Sequence, residues 1–133
     1  MRDKEALKAV FRNYAERYDT KNVMIRHKIE HTLRVAELSE RYADALGMGS
    51  EDATWAWFFG LLHDIGRFEQ VRRFGTFVDA QSVDHAELGA DILFRDGLIG
   101  EFPVEEPADM AASFNYEFVC SLSPRVTRVY TES

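Results

Sequence analysis

Trp55-Ala56-Trp57-Phe58-Phe59-Gly60-Leu61-Leu62-His63-Asp64-Ile65-Gly66-Arg67-Phe68 is the stretch that decides how this chain folds. It is apolar up to Leu62, with no polar face. A helix that is apolar nearly all round belongs at the centre of a bundle. Residues 51–63 are therefore expected to form that helix, with Ser50 as N-cap and Glu51 and Asp52 in its first turn. His63 and Asp64 close it. A buried imidazole and carboxylate cost stability unless something pairs with them. A divalent cation suits both, because His offers a neutral nitrogen and Asp an anionic oxygen. Gly66 is expected to stop the helix with a positive φ, and Arg67 to reach past it towards an anion.

Working outward, residues 4–18 read as an amphipathic helix, with Leu7, Val10, Phe11, Tyr14 and Tyr18 on one face. Residues 23–46 read as a longer helix ending at Gly47. Its apolar stripe takes in His27, His31, Val35, Leu38 and Tyr42, which points both histidines inward, about 6 Å apart along the axis. Residues 67–82 read as irregular, with one helical turn around Phe68–Phe74. Arg67, Arg72 and Arg73 make that segment basic, which reads either as a solvated loop or as a phosphate contact beside the His-Asp pair. Residues 83–96 read as a helix with His85, Leu88, Gly89 and Ile92 on its inner face, ended by Asp96-Gly97. A turn follows at Phe102–Pro107, and Ala108–Ala112 begins a last helix. Beyond it the helical pattern is lost; Val126–Thr131 would suit a strand, but no earlier segment offers it a sheet.

The 133 residues suit one domain, and 46% apolar content is enough for a core. Sixteen basic residues against 23 acidic ones give a net charge of −7, which argues against nucleic acid or an anionic membrane as partner. A small phosphorylated substrate remains compatible, because local charge can differ from net charge. The single Cys120 cannot form an internal disulfide, so a reducing cytoplasm is expected. Met1–Glu5 has no signal-peptide pattern, and the longest apolar run is far short of a membrane span.

By this phasing all four histidines face one interior. His31, His63 and His85 lie on separate helices, and Asp64 follows one of them. Scattered surface histidines would not phase with three apolar faces, so a metal centre explains the cluster better than core packing does. One local pattern competes: His27-Lys28-Ile29-Glu30-His31 fits H-x-x-E-H, an inverted zinc-protease motif with Glu30 as general base. It leaves His63-Asp64 and Asp84-His85 unexplained.

His31-Thr32-Leu33-Arg34-Val35, Leu61-Leu62-His63-Asp64-Ile65-Gly66-Arg67-Phe68-Glu69-Gln70 and Asp84-His85-Ala86-Glu87-Leu88-Gly89 together resemble the HD-domain superfamily of metal-dependent phosphohydrolases, over roughly residues 20–100. The resemblance implies an all-α, HD-domain-like helical bundle of five or six helices. It implies His31, His63 and Asp64 as metal ligands, with His85 as a second-metal or phosphate-facing residue. The implied catalytic set is His63, Asp64, His85 and Arg67, with Lys28 or Arg34 as further phosphate partners. The cofactor would be a divalent ion, and a His/carboxylate shell does not choose among Mn, Mg, Fe, Ni, Co and Zn. The implied activity is hydrolysis of a phosphomonoester or phosphodiester of a nucleotide or small metabolite.

The chain also departs from that family. A closing helix normally brings another His and a last Asp ligand, but no histidine follows His85, and Asp109, Glu117 and Glu132 sit in no recognisable version of the motif. The organisation expected is an HD-like domain over 1–112 and a divergent tail over 113–133, as a truncated or frame-shifted gene would give. An open core face would favour a homodimer. The competing expectation is a binding or regulatory module with an incomplete metal site.

Overall fold

The computed structural model of the chain describes residues 3–104. Among them the fold is all-α, without a strand. Helix α1 spans Lys4–Ala15, α2 Val23–Ala45, α3 Ser50–Leu62, α4 Gly66–Phe74 and α5 His85–Ala90. The last continues into a wider helical turn, Asp91–Arg95, and single tight turns lie at Asp79–Gln81 and Leu98–Glu101. The described residues hold four long helices and the short α5, against the five or six helices expected. The last helix, the strand and the 113–133 tail expected from sequence lie outside the described residues.

Polar caps start three of the helices. Asp3, Asn22 and Asp84 accept the first free N–H groups of α1, α2 and α5. Helix α3 starts differently from expectation: Gly49, at φ 92°, is its N-cap, and Ser50 is its first residue. That helix is nevertheless central. Trp57, Phe58 and Leu61 are fully buried, and Phe11, Phe68, Ile65 and Leu93 complete the core around them.

Two glycines set the geometry that matters for the site. Helices α2 and α3 run antiparallel across a short connection, and Gly60 lets them nearly touch. A Cβ there would lie 2.9 Å from the Ala36 Cα. Five residues back along α2 from that contact is His31, and three residues on along α3 is His63, so the two meet. Gly66 does not stop a helix with positive φ; positive φ among the described residues occurs at Gly47, Gly49, Gly75 and Gly97. It opens α4 after the three-residue turn His63-Asp64-Ile65. Its missing side chain lets α4 rest on α5, where a Cβ would meet the His85 carbonyl oxygen at 2.3 Å and the Gly89 nitrogen at 2.6 Å. This places His85 beside Asp64.

Helix α4 also corrects the irregular reading of residues 67–82. It sends Arg67 and Gln70 to one side and Glu69, Arg72 and Arg73 to the other. Glu69 is buried at the foot of α1, where Tyr18 O–H donates to its Oε1 at 2.8 Å and Arg73 Nε to its Oε2 at 2.6 Å; Arg72 also donates to Oε2. Tyr18 has given its proton, so Tyr14 donates to the Tyr18 oxygen, at 2.7 Å. Arg72 and Arg73 thus serve this network and not a phosphate beside His63-Asp64. Helix α1 itself ends at Ala15, short of the expected Tyr18, yet Tyr18 remains tied to the core through Phe68 and Glu69.

Burial would raise the Glu69 carboxyl, but the hydrogen bonds from Arg72, Tyr18 and Arg73 outweigh it and hold it at about 2. A carboxyl depressed on folding stabilises the fold above its unfolded value. That contribution is lost as pH falls from about 4.5 through about 2. Glu69→Gln should therefore flatten the acid limb of a urea-stability against pH curve over that range, with the difference from wild type largest above pH 5. Separately, Gly66→Ala should cost about 2–3 kcal/mol, because backbone on both sides must move. Gly100→Ala meets nothing within 4 Å and should be silent in the same denaturation assay.

Candidate metal centre

Asp64 is the hub. Its side chain is 4% exposed, and groups from four helices or their ends converge on it. Lys28 Nζ lies 3.1 Å from Oδ2, His31 Nε2 3.4 Å and His63 Nε2 3.2 Å from the same oxygen. His85 Nε2 lies 3.4 Å and Arg67 Nε 3.8 Å from the other oxygen, Oδ1. Burial pushes the Asp64 carboxyl up, but the positive field of His63 and the close approach of the His31, His63 and His85 imidazoles win and hold it well below the usual carboxylate range. It is an anion.

The tautomer of His63 follows from its surroundings. Nδ1 is 2.6 Å from the Gly60 carbonyl, and a carbonyl can only accept, so Nδ1 carries the proton. Nε2 is then a bare lone pair when the ring is neutral. It is buried, has no hydrogen-bond partner among the described residues, and faces a carboxylate oxygen at 3.2 Å. Two acceptors at that separation repel unless a cation or proton stands between them. The donor atoms of His31, His63 and Asp64 all lie within 4.8 Å of one another. Ligands about 2.1 Å from one ion are separated by about 3.0–3.4 Å, the spacing of both imidazoles from Oδ2. The donor set therefore fits a divalent metal, with Gly60 as the outer partner that fixes a ligand's ring.

His85 stands on the other side of Asp64. Its Nδ1 is 2.7 Å from Asp79 Oδ2 and its Nε2 points at Asp64 Oδ1. Burial pulls this imidazole's proton affinity down, while hydrogen bonds to Asp64 and Asp79 raise it above the ordinary value and prevail. It is thus beside the His31–His63–Asp64 group but outside it; a separate cluster joins it to Asp79 and Asp84.

Arg67 is more constrained than an arm reaching for an anion. Its NH1 donates to Gln70 Oε1, the Phe77 carbonyl and Asp79 Oδ1 at 2.7–2.9 Å, while its Nε, buried and without a hydrogen bond among the described residues, faces Asp64. Gln70 adds bonds to Asp79 and Ser82. Arg67 and Gln70 thereby fasten the connection from Gly75 to Asp84 against the site as a wall. Sequence reading missed Asp79 and Gln70. The usable signal was that Arg67 and Gln70, three apart on a helix, share a face.

His27 does not point inward. It is exposed, as are Glu30, Arg34 and Tyr42 on the same helix. The buried side of α2 runs through Ile25, Thr32, Val35, Ala36 and Ala43. The H-x-x-E-H pairing therefore does not form: His31 groups with His63 and Asp64, not with His27. Elemental analysis of protein purified without chelator and reloaded with Mn should find about one equivalent, lost in His63→Ala and retained in Glu30→Ala. Metal lost in Glu30→Ala instead would restore the protease motif.

A family model described as HD domain matches residues 29–120. No curated protein and no solved structure gave a match. The match extends further towards the C-terminus than the resemblance over residues 20–100 and takes in His31, His63, Asp64, Arg67 and His85. This chain belongs to the HD-domain family, within the superfamily of metal-dependent phosphohydrolases.

Proposed function

We propose that this protein is a metal-dependent hydrolase of a phosphomonoester or phosphodiester carried by a nucleotide or another small metabolite. One observation carries the reading: the buried, unpartnered Nε2 of His63, fixed by Gly60, shares Asp64 Oδ2 with the Nε2 of His31. His31, His63 and Asp64 would hold the ion, and two imidazoles with one carboxylate leave its identity open. A divalent cation there supplies Lewis acidity to a phosphoryl oxygen and makes water a better nucleophile at neutral pH.

The remaining work falls to the chain's own side chains. Among the described residues Asp64 Oδ1 has no close hydrogen bond, the His85 Nε2 standing 3.4 Å away, so it can accept one from the attacking water. His85 Nε2 lies on the same side, oriented through Nδ1 by Asp79, where it can take a proton from water or return one to the leaving oxygen. Arg67 Nε faces the same space and can donate to a phosphoryl oxygen as charge builds there. The three Asp79 contacts keep that guanidinium and His85 in fixed relation, so no reorganisation is needed at the moment of reaction.

Mn-loaded protein should hydrolyse at least one member of a panel of aryl phosphates, aryl phosphodiesters and nucleoside monophosphates. Asp64→Asn should lower turnover by about 100-fold or more. Undiminished turnover in that variant would sink the assignment. Bound metal with no turnover on any ester would assign the chain to a binding or regulatory role.

A further inference from the structure

Among the described residues, the side-chain cation nearest Asp64 Oδ2 is Lys28. Lys28 lies one turn before His31 on α2, and its ammonium is 3.1 Å from Asp64 Oδ2. That is the oxygen the two imidazoles face. The lysine side chain is only 15% exposed. Its Nζ also stands 5.0 Å from the ring centre of Phe77, on the wall that Arg67 fastens. Asp64 and an aromatic face therefore both attract one flexible ammonium.

We propose that Lys28 competes with the divalent cation for Asp64 Oδ2, and that metal loading turns its ammonium into a ligand for the substrate's phosphoryl group. This rests on the metal reading above. Two positive groups drawing on one buried carboxylate oxygen weaken each other's hold, and the effect is strong where water is scarce. The ammonium has a long, flexible stem, and the Phe77 ring 5.0 Å away lies on the same side of the site. An anionic phosphoryl group arriving beside Asp64 brings the counter-charge that Lys28 gives up to the metal. Metal first and phosphate second is then the favoured order.

The test is calorimetric, with Mn alone and then, on Mn-loaded protein, with methylphosphonate, a phosphomonoester mimic that cannot be hydrolysed. Lys28→Met keeps the stem and removes the charge. It should bind Mn about tenfold more tightly and methylphosphonate about tenfold more weakly than wild type. Lys28→Arg, which keeps the charge, should stay within about threefold of wild type in both. Thermal melts show whether each variant is folded, and Lys28→Gln replaces the methionine variant if that one is not. A lysine that only props the fold would move both affinities in the same direction or neither, and either result overturns the proposal. So does Lys28→Arg behaving like Lys28→Met. Wild type that binds Mn with an unchanged Lys28→Met overturns this inference alone, whereas wild type that binds no Mn overturns the metal reading and this inference with it.

Discussion

The buried carboxylate of Asp64 is the constraint around which this structure is arranged. An isolated anion this deep would cost several kcal/mol even after the protein relaxes around it. The chain keeps it charged by surrounding it, with two imidazoles and an ammonium on one oxygen and an imidazole and a guanidinium on the other. Those groups come from α2, the end of α3, α4 and the start of α5. The close contacts at Gly60 and Gly66 are what allow four elements to reach one residue. Packing and electrostatics are thus one problem here: a bulkier residue at either glycine would pull a charge partner away from Asp64.

The two oxygens of Asp64 divide the site. Oδ2 gathers the nitrogen donors that suit a metal. Oδ1 faces the groups that can handle a proton and a phosphoryl oxygen, His85 and Arg67. Asp79 stands behind both of these and binds each, at 2.7 and 2.9 Å. Its own carboxyl is pushed up by burial, but the His85 and Gln70 hydrogen bonds outweigh that and lower it, so it too stays anionic. One carboxylate thereby holds the metal side and another the acid–base side, with His85 between them.

Much of this was legible in the sequence, and the errors have physical causes. The all-round apolar run named α3 correctly, because only the centre of a bundle tolerates it. His31, His63 and His85 converge as their phases predicted. His27 did not follow, because residues four apart on a helix differ by about 40° in direction. His31 already sits at the edge of the buried face, and one more step of 40° puts His27 in solvent. Gly66 was misread because a glycine that ends a helix and one that admits a neighbouring backbone look alike in sequence; only the position of α5 separates them. Asp79 lies in a connection without periodicity, so nothing local marked it. Arg72 and Arg73 were assigned to the wrong partner for a related reason: a segment read as irregular has no faces, and without faces Glu69 could not be seen as their target.

Among the described residues, the group that could hold an ion at Asp64 Oδ2 supplies three protein donors. A structural ion is usually closed in by four protein ligands, whereas a catalytic one keeps positions open for water and substrate. The side of Asp64 away from the His31–His63–Asp64 group is lined by His85 and Arg67 rather than by further core. A site built only to brace the bundle would have no use for an imidazole aimed across the carboxylate and held there by a second acid. Nor would it gain from an ammonium that contends for the metal's own oxygen. Both features make sense where an ion must be held reversibly and a charged group must come and go beside it.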